Sequence, residues 1–144
     1  MTELDRNPFP EYKYQICIDE VGRGCLFGDV YIACVVLPKE PSSFIGTDIK
    51  DSKKFSSKKK LQNTADYIKE NALAWHIEFV DADVIDKINI LKAVMQGMHN
   101  CIKNVILKLN ISEGDCTAVI DGNYFTPYMV FNNERQALVP MKSV

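Results

Sequence analysis

Two apolar, β-branched runs joined by a short acidic and glycine-rich turn constrain the fold of this chain more than any other feature. Residues 14–19 (YQICID) read as one strand and residues 29–37 (DVYIACVVL) as the next. Apolar β-branched stretches bounded by acidic residues and glycine favour extended backbone. Between them stand Asp19, Glu20, Val21, Gly22, Arg23 and Gly24. Adjacent carboxylates at a strand end can hold a hard divalent cation through oxygen ligands. The Gly-Arg-Gly that follows offers backbone amides and one fixed positive charge, which suits a phosphodiester. Each half also has a bland reading: a surface acidic pair, and a tight turn in which Gly accepts a positive φ. A dinucleotide-binding loop is excluded, because such a loop opens a helix and here a second strand follows.

The rest of the pattern alternates helix and strand. Pro38 to Gly46 is a loop. Ser56 or Ser57 caps a helix reaching about Asn71, with Leu61, Ala65, Ile68 and Ala72 on one face. Leu73 to Val80 reads as a third strand. From Ile88, apolar residues recur at spacings of three and four through Leu91, Met95, Met98, Ile102, Val105 and Leu109, predicting an amphipathic helix of about twenty residues. Gly97 inside that helix costs about 1 kcal/mol relative to Ala unless close packing requires it. Thr117 to Ile120 is a fourth strand and Ala137 to Val144 a fifth. This order predicts an α/β fold, a mixed sheet with helices packed on it.

A chain of 144 residues supports one domain with one core. Residues 1–13 read as a flexible lead-in and residues 14–144 as the folded domain. No apolar run approaches a membrane span, and the polar start is not a signal peptide. The five cysteines, Cys17, Cys25, Cys34, Cys101 and Cys116, are scattered and form no metal-binding pair, so they read as free thiols of a reducing, cytoplasmic compartment. His76 and His99 lack partners for a nucleophilic triad or a zinc site and read as structural or exposed. The net charge of −2 gives no global basic excess. Lys50, Lys53, Lys54, Lys58, Lys59 and Lys60 nevertheless cluster against only Asp48 and Asp51. Lysines in the first turn of a helix oppose its dipole, by roughly 0.3–1 kcal/mol each when exposed. A solvated face is the bland reading; a nearby anion would relieve the conflict.

Asp121, like Asp19, follows an apolar strand and precedes a glycine, so the two would meet if strands one and four are neighbours. Like charges about 4 Å apart repel by roughly 4 kcal/mol at an effective dielectric of 20, so grouping Asp19, Glu20 and Asp121 calls for a cation. At these residues the chain resembles the ribonuclease HII family. Four motifs match in order: DEVGRG at Asp19 to Gly24, DSKK-x-S at Asp51 to Ser56, NIL-x-A-x-M-x-x-M at Asn89 to Met98, and IDGN at Ile120 to Asn123. Ribonuclease HIII resembles the chain less, since it differs at the Arg23 position and carries an additional N-terminal domain.

The resemblance implies an RNase H-like, five-stranded mixed sheet flanked by helices. It implies an endonuclease that degrades the RNA strand of RNA–DNA hybrids and nicks 5′ to ribonucleotides embedded in duplex DNA, leaving 5′-phosphates. Asp19, Glu20 and Asp121 are then catalytic carboxylates binding Mg²⁺ or Mn²⁺ in a two-metal site. Gly22, Arg23 and Gly24 form the loop that senses the ribonucleotide 2′-hydroxyl, and Ser52, Lys53 and Lys54 contact the backbone. A monomer with no membrane partner is expected. Two turn positions depart from the family, which usually has Pro where Cys25 and Asp29 stand. Family members also continue from the fifth strand into a segment with a fourth catalytic aspartate and a substrate-recognising tyrosine. On this reading the domain is C-terminally incomplete, and the alternative is a truncated module that binds hybrid without cutting. Tyr124, Phe125, Tyr128 and Phe131 read as a loop packed on the core rather than a replacement for that tyrosine.

Overall fold

The computed structural model describes residues 8–21, 28–40, 42–120, 128–132, 134–141 and 143. The elements run β1 (Tyr14–Val21), β2 (Val30–Val36), α1 (Lys58–Asn71), β3 (Ala74–Val80), α2 (Ala82–Ile88), α3 (Ile90–Leu109), β4 (Cys116–Ile120), β5 (Met129–Asn132) and β6 (Ala137–Pro140). The main sheet has the order β3-β2-β1-β4. β1 is antiparallel to β2 and parallel to β4, and β2 is antiparallel to β3, so the sheet is mixed as expected.

Strand alternation sorts this sheet into two unlike faces. Ile16 and Ile18 of β1, and Val30, Ile32, Cys34 and Val36 of β2, are buried on one face. α3 covers that face with Ala93, Val94, Met98, Cys101, Ile102 and Val105. Gly97 is the contact point. A Cβ built there would lie 2.3 Å from Ile32 Cδ1, so any larger residue would force the fully buried Ile32 side chain to shift. The packing requirement that its position mid-helix demands is therefore met.

α3 begins two residues later than the apolar repeat suggests. Ile88 ends a separate short helix, α2, and Asn89 intervenes with φ 69°, its side chain accepting from Lys92 N at 3.1 Å. A left-handed residue breaks the hydrogen-bond ladder while the apolar stripe continues across it, which is why periodicity alone reads one helix. α1 starts as anticipated, with Ser57 Oγ accepting from Lys60 N at 3.2 Å. None of its residues is fully buried, and Leu61 on its apolar stripe is 38% exposed.

The fifth strand needs correction. Residues 137–144 do not form one continuous strand beside the sheet. Ala137–Pro140 instead pairs antiparallel with Met129–Asn132, a strand with no sequence forecast, in a separate two-stranded sheet. Proline cannot donate to a ladder, so Pro140 suits the end of that pairing. Beyond it Met141 is buried and donates its N–H to Tyr128 O at 2.7 Å. Ser143 then makes a single parallel bridge to Ala118 of β4. Among the described residues, the fifth position in the main sheet is thus marked by Ser143 alone. The last part of the lead-in is tied down: Tyr12 N donates to Phe9 O at 3.1 Å, and Gln15 Nε2 donates to the same carbonyl at 3.3 Å.

Candidate metal and nucleic-acid site

β1 runs two residues further than the sequence suggests. Asp19 pairs with Ala33, Glu20 with Ile32 and Val21 with Tyr31. The acidic pair therefore sits within a strand, and the pleat sends its two side chains to opposite faces. Asp19 lies on the face away from α3, exposed, with one carboxylate oxygen accepting from Glu20 N at 2.8 Å. Glu20 follows the parity of Ile16 and Ile18 and is half-buried at the sheet's end.

The parallel pairing of β1 with β4 carries the site's architecture. Its register ends at Ile18 beside Ile120. In the sequence, Asp19 follows the first of these residues and Asp121 the second. Asp121 itself lies outside the described residues, as do Gly22, Arg23, Gly24, Cys25, Tyr124 and Phe125. No group of three or more His, Cys, Asp or Glu side chains able to hold a metal ion occurs among the described residues. The carboxylates that are described supply hard oxygen donors, the kind Mg²⁺ and Mn²⁺ take.

Asp19 borders a cavity of about 700 Å³ between the sheet and α1. Cys17, Ala33, Val35, Trp75, Ile77 and Val119 form much of its floor, and Ala65, Ile68 and Lys69 of α1 its wall. The floor continues towards the sheet's end as exposed apolar surface. Ile77 is 46% and Phe79 58% exposed, and the Tyr31 and Phe79 rings lie 6.0 Å apart. Sequence reading assigned these residues to strands but gave no sign that this face is uncovered.

Ser52, Lys53 and Lys54 form a 3₁₀ turn. Asp51 caps it by accepting from Lys53 N at 3.0 Å, and all three turn residues are exposed. Lys50 lies over the Phe55 ring at 5.0 Å. The exposed Lys58, Lys59 and Lys60 follow at the start of α1. The motif lysines are thus presented from a short capped turn rather than a loose run.

The remaining signalled residues are structural. His76 bonds Glu78 at 2.7 Å, and His99 meets the Tyr128 ring edge-on at 5.6 Å. Cys34, Cys101 and Cys116 are buried free thiols, while Cys17 is exposed on the open face. Burial, with Asp115 and Glu113 nearby, pushes the Cys116 thiol up to about 12. Tyr128 packs against the core and Phe131 falls in β5. Asp29 makes a contact that no local pattern announces: its carboxylate accepts from Ala82 N at 3.1 Å across 53 positions.

Comparison with known proteins agrees with this fold. Bst-RNase HIII in complex with Mn²⁺ superposes with a TM-score of 0.67 at 15% identity, covering 90% of this chain and 44% of that one. RNase HII in the PCNA:RNase HII complex from Archaeoglobus fulgidus superposes with a TM-score of 0.56 at 24% identity, covering 79% and 53%. These likenesses show the RNase H-type fold. In sequence, Ribonuclease HII of Parabacteroides distasonis is 44% identical over 110 residues, 76% of this chain and 50% of the relative. The chain thus spans about half the length of the curated relatives it matches. The family model described as Ribonuclease HII matches residues 16–137, and the chain belongs to the ribonuclease HII family.

Proposed function

We propose that this chain carries the strand-borne part of a ribonuclease site that degrades the RNA strand of RNA–DNA hybrids and nicks 5′ to ribonucleotides in duplex DNA. The observation that carries the reading is the parallel register ending at Ile18 and Ile120, which leads into Asp19 on β1 and Asp121 after β4. Asp19, Glu20 and Asp121 would hold the divalent cations, Mg²⁺ or Mn²⁺. Bound there, such ions lower the pKa of an attacking water and stabilise the leaving oxygen. The Mn²⁺ complex of Bst-RNase HIII supports divalent-cation use.

The chain's own residues would do the rest. Ser52, Lys53 and Lys54 hold the phosphate backbone without reading sequence, and their capped turn limits the entropy lost on binding. Gly22, Arg23 and Gly24 meet the 2′-hydroxyl, the group that distinguishes a ribonucleotide. The second reading is that the chain binds hybrid without cutting it.

A nicking assay on duplex DNA containing one ribonucleotide, with Mg²⁺ or Mn²⁺, tests the proposal. Metal-dependent cleavage 5′ to the ribonucleotide is expected, with loss of at least a hundredfold in Asp121→Asn, on the order of a removed electrostatic contact to the reacting centre. Cleavage at an unchanged rate in that variant defeats the assignment. Binding without cleavage establishes the second reading.

A further inference from the structure

We infer that Tyr67 is a positioning residue, which with Phe44 fastens the loop bearing Ser52, Lys53 and Lys54 to α1. The inference rests on the reading that this turn holds the phosphate backbone. The described residues between β2 and α1 contain one short 3₁₀ turn and no strand. A connection of that kind moves freely unless something anchors it. Phe44 is the anchor. Among the described residues from Leu37 to Leu73 it alone is buried, at 4% exposed. Its ring centroid lies 5.4 Å from that of Tyr67 on α1, and the Tyr67 hydroxyl oxygen accepts from Ile45 N at 2.8 Å. Neither residue belongs to the main core cluster, so the pair forms a small separate contact beneath the loop. The rings hold the loop down, and the hydrogen bond fixes which backbone residue lies over them.

From this anchor the backbone is tightened step by step towards the turn. Ile49 N donates to Gly46 O at 3.1 Å, and Lys54 N to Asp51 O at 2.9 Å. The Asp51 side chain accepts from Lys53 N at 3.0 Å. Ser57 then caps α1. The loop is thus held to one helix at two points, at Tyr67 and at the Ser57 cap, about 15 Å apart along its axis. With both ends fixed to α1, Lys53 and Lys54 keep a constant place relative to Lys58, Lys59 and Lys60 of its first turn. Two groups of lysines at a fixed spacing meet the phosphates of one duplex without first having to order the loop between them. Lys60 and Tyr67, seven residues apart, lie on the same face of α1. The staple and the helix lysines therefore share the side along which the loop returns.

The test compares the full chain with Tyr67→Ala, Tyr67→Phe and the double variant Lys53→Ala/Lys54→Ala. Binding of an RNA–DNA hybrid is measured against salt concentration, with Ca²⁺ in place of Mg²⁺ to withhold cleavage. Hydrogen exchange of the Lys53 and Lys54 amides is followed in the full chain and the Tyr67 variants without nucleic acid. Each phosphate contact adds about 0.9 to the slope of log affinity against log salt, so the double lysine variant should lose about 1.8. Tyr67→Ala is expected to lower the slope in the same direction, to weaken binding several-fold and to speed exchange at both amides about tenfold. Added to the double lysine variant, it should weaken binding no further. Tyr67→Phe keeps the ring against Phe44 and should fall between Tyr67→Ala and the full chain. α1 has no buried residue, so these variants are expected to fold. A wild-type slope in Tyr67→Ala, or unchanged exchange at Lys53 and Lys54, would overturn the inference. So would a loss of affinity that adds in full to that of the lysine variant, since Tyr67 would then act apart from the turn. An unchanged slope in the lysine variant, or a full chain that binds no hybrid, would instead sink the reading of the turn. Exchange at Lys53 and Lys54 then still decides whether Tyr67 fastens it.

Discussion

The two faces of the main sheet are built from similar residues and have opposite fates. On one face, Ile16, Ile18, Val30, Ile32 and Val36 lie under α3 and are at most 3% exposed. On the other, Val35, Trp75, Ile77 and Phe79 surround a cavity or face outwards, and α1 touches them only at its margin. The difference lies in the helices. α3 presents nine buried residues, and its one glycine sits where β2 comes closest. α1 presents a narrow apolar stripe flanked by lysines and has no buried residue. Stability therefore belongs to the α3 face. Asp19, the carboxylate proposed to bind metal, belongs to the other, where its side chain is exposed beside the cavity.

Breaking the α3 face should produce the largest effects. Ile102→Ala removes a fully buried side chain and is expected to cost about 2–5 kcal/mol, measured by urea unfolding. Should it cost under 1 kcal/mol, the helix–sheet contact is not the principal core. Gly97→Ala drives a methyl into Ile32 Cδ1 and should cost about 1–3 kcal/mol. Adding Ile32→Val removes that δ-methyl, so the double variant should be more stable than the sum of the singles predicts. Strict additivity would place the clash elsewhere.

A pH effect sharpens the same contrast. Cys116 belongs to the buried cluster, and its thiol is raised from 9.0 to about 12. The folded state holds this proton after the unfolded chain has released it. The stabilisation is therefore complete below the unfolded value and is lost as pH rises from about 9 towards 12, at no more than about 1.4 kcal/mol per pH unit. Alkaline unfolding should start from a flatter slope in Cys116→Ala, and an unchanged slope would remove this thiol from the account. Smallest of all, Ile77→Thr on the open face should change stability by no more than about 0.5 kcal/mol while weakening binding of an apolar dye. A core-sized loss there would mean that the face is covered in solution.

Local chemistry made much of this legible. Ser57 caps α1 because a serine before a helical stripe accepts from the third amide beyond it, a relation contained within four residues. Gly97 announced close packing because glycine in a helix is otherwise unfavourable, although not against which strand. The extent of β1 through Val21 was hidden, since acidic residues and the turn beyond them mask pairing that depends on Tyr31, Ile32 and Ala33 of the partner strand. β6 falls inside the strand expected over residues 137–144, but its partner β5 was hidden for a similar reason, its four residues being too few to carry a clear alternation. Asp29 was visible only as an unusual turn residue, because its partner amide lies in α2.

The sequence by itself determined the family, the order of the principal strands and helices, and where the four family motifs fall along the chain. Motif spacing and periodicity are properties of the covalent chain. Only the tertiary structure decided that β4 pairs with β1 rather than β3, and that Asp19 and Glu20 turn to opposite faces. It also decided which of two equally apolar sheet faces is buried. Those outcomes depend on strand register and on how closely a distant helix can approach, and both are settled by packing between residues far apart in the chain.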